Sequence, residues 1–296
     1  MYTLKLNLCG NSEPLVSYLK NFAKIRNSLL LEIDTEVKAF VAKIFTMDRS
    51  AIRFSSISFD ESFISIVSDT GKDRNGNRIK AGILIQLNKL IKIIERFGSD
   101  VDSEGKSNFI IRIDYDTMNN GSENDYIATN IVFENDQLRM KMDGFKISEL
   151  IYLDDEKFKN DIFNVEDPVS LMLTPDTIAS VIKTTDIIKT DAHSDIMCFY
   201  VEGKDVFICD KKIDITSTDS EPSFVYKIGS LESEPGYEIH ANILREKFIQ
   251  MMDKSSCNYK LILGHRATGN NEYVVDRILM DSENGSTKVV IGIQNI

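Results

Sequence analysis

The pattern of apolar and polar positions repeats four times along the chain. In each repeat, a short apolar run with strand character is followed by a segment whose apolar residues recur every three or four positions, as in an amphipathic helix. The four strands are predicted at residues 2–8, 79–86, 168–173 and 237–243, and the four helices at residues 14–26, 87–97, 174–190 and 242–254. This recurrence predicts a fold built from similar modules.

Segments that alternate between apolar and polar residues follow each helix and predict further strands. They lie at residues 28–34, 36–45, 51–59, 108–115, 127–134, 137–143, 195–201, 205–210, 223–229, 258–264, 272–280 and 288–294. Two repeats then form one domain, with a sheet on one side and two helices on the other. The predicted fold class is α+β, with domains at residues 1–143 and 168–296 and an extended connector at residues 144–167,.

Local signals indicate where several helices begin and end. Ser12 and Thr174 are hydroxyl residues next to a helix start that also carries an early proline,. Gly98 is expected to end the second helix in a left-handed conformation.

The composition is that of a globular protein, because 42% of the 296 residues are hydrophobic and 27% are charged,. No apolar run approaches the roughly 18–20 residues needed to span a bilayer, and the first residues lack a signal-peptide pattern. We therefore predict a cytoplasmic protein that has no membrane partner. The four cysteines form no CxxC pair, so neither a metal nor another cofactor is expected, although Cys198 and Cys209 could face each other across a hairpin,.

The net charge of −11 argues at first against nucleic-acid binding,. Its distribution changes the picture, because the four predicted helices carry +3, +2, 0 and +1, which leaves −17 on the rest of the chain. Basic helix faces of this kind predict salt-dependent binding of a polyanion without sequence preference, while ordinary solvated lysines remain the alternative for any single position. The candidate DNA-binding residues are Lys20, Lys24, Arg26, Lys89, Lys92, Arg96, Lys183, Lys247 and Lys254.

No recognised catalytic motif occurs in the sequence. Neither GxGxxG nor GxxxxGKS/T is present, and residues 69–77 lack the ligand spacing and the closing glutamate of a calcium loop,. His193 lies near two aspartates, but no nucleophile is implicated by a known spacing. The chain is therefore predicted not to be an enzyme.

Several segments, in their order along the chain, resemble parts of DNA sliding clamps. Residues 18–25 resemble the first helix of the clamps of the T-even phage group, and the motif Thr-Met-Asp-Arg-Ser at residues 46–50 resembles the central loop of eukaryotic PCNA. Residues 258–264, 273–275 and 288–291 are similar to the carboxy-terminal unit of both. The chain is longer than the T-even clamps, mostly in the first domain and the connector.

The resemblance implies a head-to-tail ring, a homotrimer, that encircles double-stranded DNA and has a DNA polymerase and a clamp loader as partners. Strand 137–143 of one subunit would pair with strand 223–229 of the next, which places Arg139, Lys141, Val225 and Lys227 at the interface. The resemblance also implies a pocket for partner peptides. This pocket would be lined by Met47, Ile52, Leu150, Ile151, Leu153, Val290 and Ile291.

Two other interpretations stay open. The chain could be a clamp-like accessory factor that acts as a monomer or dimer, or a β-rich phage protein with a structural or interaction role. The fourfold recurrence of strand and helix and the basic helix faces favour the clamp. If the chain is phage-encoded, the expected location is the cytoplasm of the host cell.

Overall fold

The computed structural model describes residues 2–46, 50–60, 63–70, 81–103, 106–117, 126–143, 163, 165–188, 195–210, 224–236, 239–252, 257–267 and 273–293. The chain divides into two compact units. Unit 1 comprises Met1–Ile44 and Phe54–Leu153, and unit 2 comprises Phe45–Arg53 and Asp154–Ile296. The predicted connector, residues 144–167, lies mostly outside the described residues and stays a prediction.

The described residues of unit 1 form two helices and a mainly antiparallel sheet. Its elements are β1 (Tyr2–Gly10), α1 (Glu13–Ala23), β2 (Ser28–Asp34), β3 (Ala39–Phe45), β4 (Ala51–Ser58, which begins in unit 2), β5 (Ile64–Asp69), β6 (Ala81–Gln86), α2 (Leu87–Gly98), β7 (Ser107–Thr117), β8 (Tyr126–Glu134) and β9 (Arg139–Asp143). The strand order runs β4–β3–β2–β6–β8–β7–β1–β5, and β9 pairs with β8. The contact between β6 and β8 is parallel and short.

The core of unit 1 lies between this sheet and the two helices. Leu6 of β1, Leu19 of α1 and Ile94 of α2 border the same interior space. Full burial of each such side chain contributes about 1.5–3 kcal/mol. The hydroxyl of Tyr18 fixes α1 further, since it donates to the carbonyl of Ser55 at 2.7 Å and accepts from the N–H of Ala42 at 3.1 Å.

The elements described in unit 2 are two helices and the strands of two sheets. Its elements are β10 (Glu166–Leu173), α3 (Pro175–Ile188), β11 (Ile196–Glu202), β12 (Asp205–Cys209), β13 (Val225–Ser230), β14 (His240–Leu244), α4 (Arg245–Met251), β15 (Tyr259–Ala267), β16 (Tyr273–Ser282) and β17 (Thr287–Gly292). One sheet runs β10–β15–β16–β17 and the other β13–β12–β11–β14. Cys198 and Cys209 are directly opposite each other in β11 and β12, as the sequence suggested, and no disulfide joins them.

The predicted α+β class and the fourfold recurrence of a strand followed by a helix are confirmed, as β1–α1, β6–α2, β10–α3 and β14–α4. The fourth helix is shorter than predicted, because residues 242–244 belong to β14 and pair with β11. The first helix ends at Ala23, so Lys24 and Arg26 lie beyond it. The sequence pattern missed β5, which pairs with β1.

Two helix-end signals acted differently from the expectation. Gly98 does not have a positive φ, so the predicted left-handed conformation is wrong. A Cβ atom at this position would collide with Oγ of Ser12, and glycine therefore permits the close approach of α1 and α2. Ser12 makes no side-chain cap, and Asn11 instead accepts from the N–H of Glu13 at 2.9 Å. Thr174 caps α3 as predicted, by accepting from the N–H of Thr177 at 3.1 Å.

Candidate nucleic-acid interface

Helices α1 and α2 bring most of the candidate cations of unit 1 together. Lys20 of α1 and Glu95 of α2 form an ion pair of 2.7 Å between Nζ and Oε1, which connects the two helices. Lys89, Lys92 and Arg96 are exposed on α2. They are exposed because the opposite face of the helix is buried against the sheet, through Leu87, Leu90, Ile91, Ile94 and Phe97,.

The cations of α1 and α2 differ in how they are already paired. Arg96 contacts Asp100 at 2.6 Å, and the hydrogen bond from Arg96 lowers the pKa of that carboxyl. Within the part of the chain that the structure describes, Lys89 and Lys92 have no ion-pair partner. Exposed ion pairs such as those of Arg96 and Lys20 are weak and screened by salt, so a phosphate group can compete for these cations.

Lys89 and Lys92 border an open surface groove of about 450 Å³. Three amide side chains, which the sequence reasoning did not single out, line the same groove: Asn27, Gln86 and Asn88. Amide N–H groups bind phosphate oxygens as lysine does, although without charge. Because these amides lie on the turn before β2 and at the junction of β6 and α2, no helical spacing in the sequence connected them with the lysines.

The residues that follow α1 complete the candidate surface of unit 1. Lys24 is exposed, whereas Arg26 is half-buried. Both lie beyond the end of the helix, and the half-buried Arg26 does not continue its exposed basic face as expected. Lys24 lies one turn beyond Lys20 along the chain, so the row of positive charge extends past the helix end.

Unit 2 departs from the predicted pattern of exposed helix cations. Lys183 of α3 is exposed, as expected. Lys247 of α4 is only 8% exposed, so the prediction that it lies on an exposed basic face is wrong. It follows Glu246, to which its Nζ is paired at 3.3 Å, and precedes Phe248, which is in the core. Lys254 lies outside the described residues.

The residues expected at a subunit interface lie on two edge strands, β9 in unit 1 and β13 in unit 2. Arg139, Lys141 and Lys227 are exposed, and Val225 is 47% exposed. Lys227 is paired with Asp205 of its own unit at 2.6 Å. Among the described residues, β9 pairs only with β8 and β13 pairs only with β12, so each strand leaves one side of its backbone without a partner strand there.

The residues expected to form a peptide pocket are only partly described. Met47, Leu150, Ile151 and Leu153 lie outside the described residues. Ile52 and Val290 are 9% and 8% exposed. Ile291 has no exposed surface and packs in the core of unit 2, so the expectation that it lines a surface pocket is wrong.

The described residues contain no group of three or more histidine, cysteine, aspartate or glutamate side chains that could hold a metal ion. In the same part of the chain, no helix is long and apolar enough to cross a membrane.

Comparisons with known proteins relate this architecture to solved structures. No protein-family model and no curated protein matches the sequence. The beta clamp of Helicobacter pylori bound to a DNA ligase peptide superposes with a TM-score of 0.59 at 12% identity, over 98% of this chain and 66% of the clamp chain. The PCNA2–PCNA3 complex from Sulfolobus tokodaii superposes with a TM-score of 0.56 at 11% identity, over 98% of this chain and 99% of that one.

The chain has the sliding-clamp fold. The DNA polymerase sliding clamp of Bacillus subtilis gives the same result, with a TM-score of 0.56 at 10% identity over 99% of this chain and 65% of that one. The chain thus spans about two thirds of the length of the bacterial clamps and nearly the whole of the archaeal chain. The resemblance to sliding clamps seen in the sequence is confirmed at the level of the fold, and the T-even phage type stays a prediction.

The clamp fold of this chain also carries a groove that the sequence did not predict. It has a volume of about 850 Å³ and lies in unit 1, with Asn7, Val67, Val101 and Ile110 in its lining. Val67 and Val101 are 55% and 53% exposed. These residues come from separate strands and a loop, so no local pattern in the sequence could have grouped them.

Proposed function

We propose that this chain is the subunit of a DNA sliding clamp, a non-enzymatic ring that encircles duplex DNA and tethers a polymerase to it. The observation that carries the proposal is the exposed set of cations on α1 and α2 within a sliding-clamp fold and a chain of net charge −11. A fold at 10–13% identity does not by itself carry the activity of its relatives,. The placement of the cations supplies the independent support.

The expected mode of DNA contact follows from the chemistry of these side chains. Lysine ammonium groups and amide side chains bind phosphate oxygens, which carry no sequence information. Their binding releases counterions from the duplex, so affinity falls as the salt concentration rises. The acidic remainder of the chain repels DNA, which favours contact at the basic helices over contact elsewhere. We therefore expect binding that is neutral to sequence and sensitive to salt.

Ring closure is proposed to use the two edge strands. A head-to-tail contact between β9 of one copy and β13 of the next would pair both open edges, and repetition of this contact closes a ring if the rotation allows it. Three copies are proposed, by resemblance to PCNA. This arrangement would place Arg139, Lys141, Val225 and Lys227 at each interface.

The partners are proposed to be a DNA polymerase, a clamp loader and further copies of the chain. The beta clamp of Helicobacter pylori was solved with a DNA ligase peptide, which supports a role for short peptides as partners of this fold. In this chain Met47, Leu150, Ile151 and Leu153 are proposed to contact such peptides, with Ile52 and Val290 beside them. The proposed location is the cytoplasm, of the host cell if the chain is phage-encoded.

Retention on circular and linear DNA tests encirclement. A closed ring stays on a circular duplex but slides off the free ends of a linear one. The protein is mixed at high concentration with a nicked circular plasmid and separated by gel filtration at moderate salt, and the plasmid is then cut once with a restriction enzyme. We expect co-elution with the circle and release after the cut.

The control is the same plasmid linearised before the protein is added. Equal retention on the circular and linear forms would contradict encirclement, because simple electrostatic adhesion does not depend on free ends. The absence of retention on the circular form would contradict stable encirclement.

A further inference from the structure

The exposed cations of the described helices are unequally divided between the two units. In unit 1, α1, α2 and the residues directly after α1 expose five cations and two acids. The cations are Lys20, Lys24, Lys89, Lys92 and Arg96, and the acids are Glu13 and Glu95. In unit 2, the described side chains of α3 and α4 expose one cation, Lys183, and two acids, Asp176 and Glu246.

The arginine of α4 is buried and contacts another helix of unit 2. Arg245 is 9% exposed, and its Nη1 donates to the carbonyl of Thr185 at 2.8 Å. Thr185 is one of the last four residues of α3. The carbonyl groups of these four residues accept no hydrogen bond from within the helix. These carbonyls also form the negative end of the helix dipole. Arg245 therefore holds the end of α3 against the start of α4.

The lysine of α4 is likewise withdrawn from solvent. Lys247 is 8% exposed, and its partner Glu246 carries the exposed charge at this point of the helix. A phosphate group approaching α4 would meet this carboxylate before it met the ammonium. The side of α4 that faces solvent is consequently negative, although the helix as a whole carries two cations and one acid.

We infer that unit 1 makes the principal DNA contact of this chain, and that the cations of α4 do not bind DNA, because Arg245 connects α4 to α3 and Lys247 is withdrawn from solvent. This inference rests on the proposed function as a sliding clamp. Phosphate contact requires a cation whose charged group reaches the surface, and the described surface of α1 and α2 supplies such groups side by side. In unit 2, α3 supplies Lys183 alone among its described side chains.

The salt dependence of DNA binding distinguishes the two units. Three single variants of the full chain are compared with the wild type: Lys92→Ala in unit 1, Lys183→Ala in unit 2, and Lys247→Met at the buried position. Binding to a short fluorescein-labelled duplex is followed by fluorescence anisotropy over a series of NaCl concentrations. The thermal unfolding temperature of each variant is measured alongside.

We expect Lys92→Ala to reduce the slope of log K against log salt by about 0.9 for each phosphate that the variant no longer neutralises. Lys183→Ala and Lys247→Met are expected to keep the wild-type slope. Lys89→Ala serves as a second unit 1 variant and should reproduce the effect of Lys92→Ala.

Two results would overturn the inference while leaving the proposed function intact. One is a slope reduced as much by Lys183→Ala as by Lys92→Ala, and the other is a reduced slope for Lys247→Met at an unchanged unfolding temperature. A wild type whose DNA binding does not respond to salt would instead overturn the proposed DNA surface itself, and the inference with it.

Discussion

Arg53 is the least exposed charged side chain among the residues whose burial the structure describes. It is 2% exposed, and its Nη1 donates to the carbonyl of Met251 at 3.0 Å, within unit 2. A guanidinium has five N–H donors and cannot lose its charge, so a buried arginine depends on fixed acceptors near it. Arg245 has such an acceptor in the carbonyl of Thr185. The exposed lysines Lys89 and Lys92 have no such constraint, and their ammonium groups are available to an anion.

The carboxyl of Asp205 provides a residue-scale prediction about pH. Hydrogen bonds from Lys227 and then from Ser230 lower its pKa below the ordinary value of 3.8. Because the pKa of Asp205 is lower in the folded than in the unfolded protein, its ionised carboxyl stabilises the fold above pH 3.8,. This stabilisation is lost as the pH falls through the pKa of the folded state. We expect Lys227→Ala to raise the titration midpoint of Asp205, as measured by NMR. Lys204→Ala, which removes a neighbouring cation, should leave it in place, and an unchanged midpoint in Lys227→Ala would contradict the assignment.

At the level of elements, the amphipathic helix α2 was the most predictable part of the chain. The start of α2 was predicted at residue 87 and its end within one residue, because five apolar residues mark one face,. The start of α4 was wrong, since residues 242–244 are extended through pairing with β11, a contact distant in sequence. The strand β5 was missed because the serines and short length of Ile64–Asp69 give no clear alternation.

The difference in length and apolar pattern between α2 and α4 also explains which candidate cations were correctly predicted to be exposed. On α2, the wide apolar face identifies Lys89 and Lys92 as exposed. On α4, which has only seven residues, the sequence did not identify the buried face, and Lys247 was placed on the wrong side. Exposure on a short helix depends on tertiary packing, which no local pattern contains. The amides Asn27, Gln86 and Asn88 could not be predicted for a similar reason.

The end of α2 gives a prediction at the scale of elements. Phe97 is fully buried, with its ring centroid 5.2 Å from that of Phe109 and 6.2 Å from that of Phe133. Phe97→Ala removes this ring packing and leaves a cavity, so we expect the free energy of unfolding of unit 1 to fall by about 3–5 kcal/mol in urea titration. The control Val101→Ala, at an exposed position, should change it by less than about 0.5 kcal/mol. A decrease below about 1 kcal/mol for Phe97→Ala would contradict this packing.

At the level of the whole molecule, β9 and β13 require an explanation, because among the described strands each has a partner on one edge only. Proteins usually cover, charge or shorten an edge strand, because open backbone groups recruit other chains. Here β9 combines two exposed cations with the buried Met142, which is 1% exposed, and β13 combines one exposed cation, Lys227, with the buried Ile228, which is 6% exposed. Because buried and exposed positions alternate along both strands, a strand added at either edge could extend the buried face of the sheet.

Assembly is therefore predicted to depend on Val225 of β13. For the wild type, light scattering should give a mass near three times 33.6 kDa. Val225→Lys adds a cation to an interface that would already hold Arg139, Lys141 and Lys227, and like-charge repulsion across the paired strands should shift the mass toward the monomer. Val37→Lys is the matched control, since Val37 is 67% exposed and lies in a turn. A monomeric wild type, or a Val225→Lys variant that keeps the wild-type mass, would contradict the proposed contact.

Gly98 carries no charge, yet it influences the charge density of the basic surface. The absence of a Cβ atom allows the end of α2 to approach Ser12 at the start of α1. Any larger residue would force the hydroxyl of Ser12 to turn and these helix ends to separate, because Cβ of Ser12 would still lie 3.2 Å away. The spacing between Lys20 and Lys92 on the proposed DNA surface is thus set in part by an uncharged residue where the two helix ends meet.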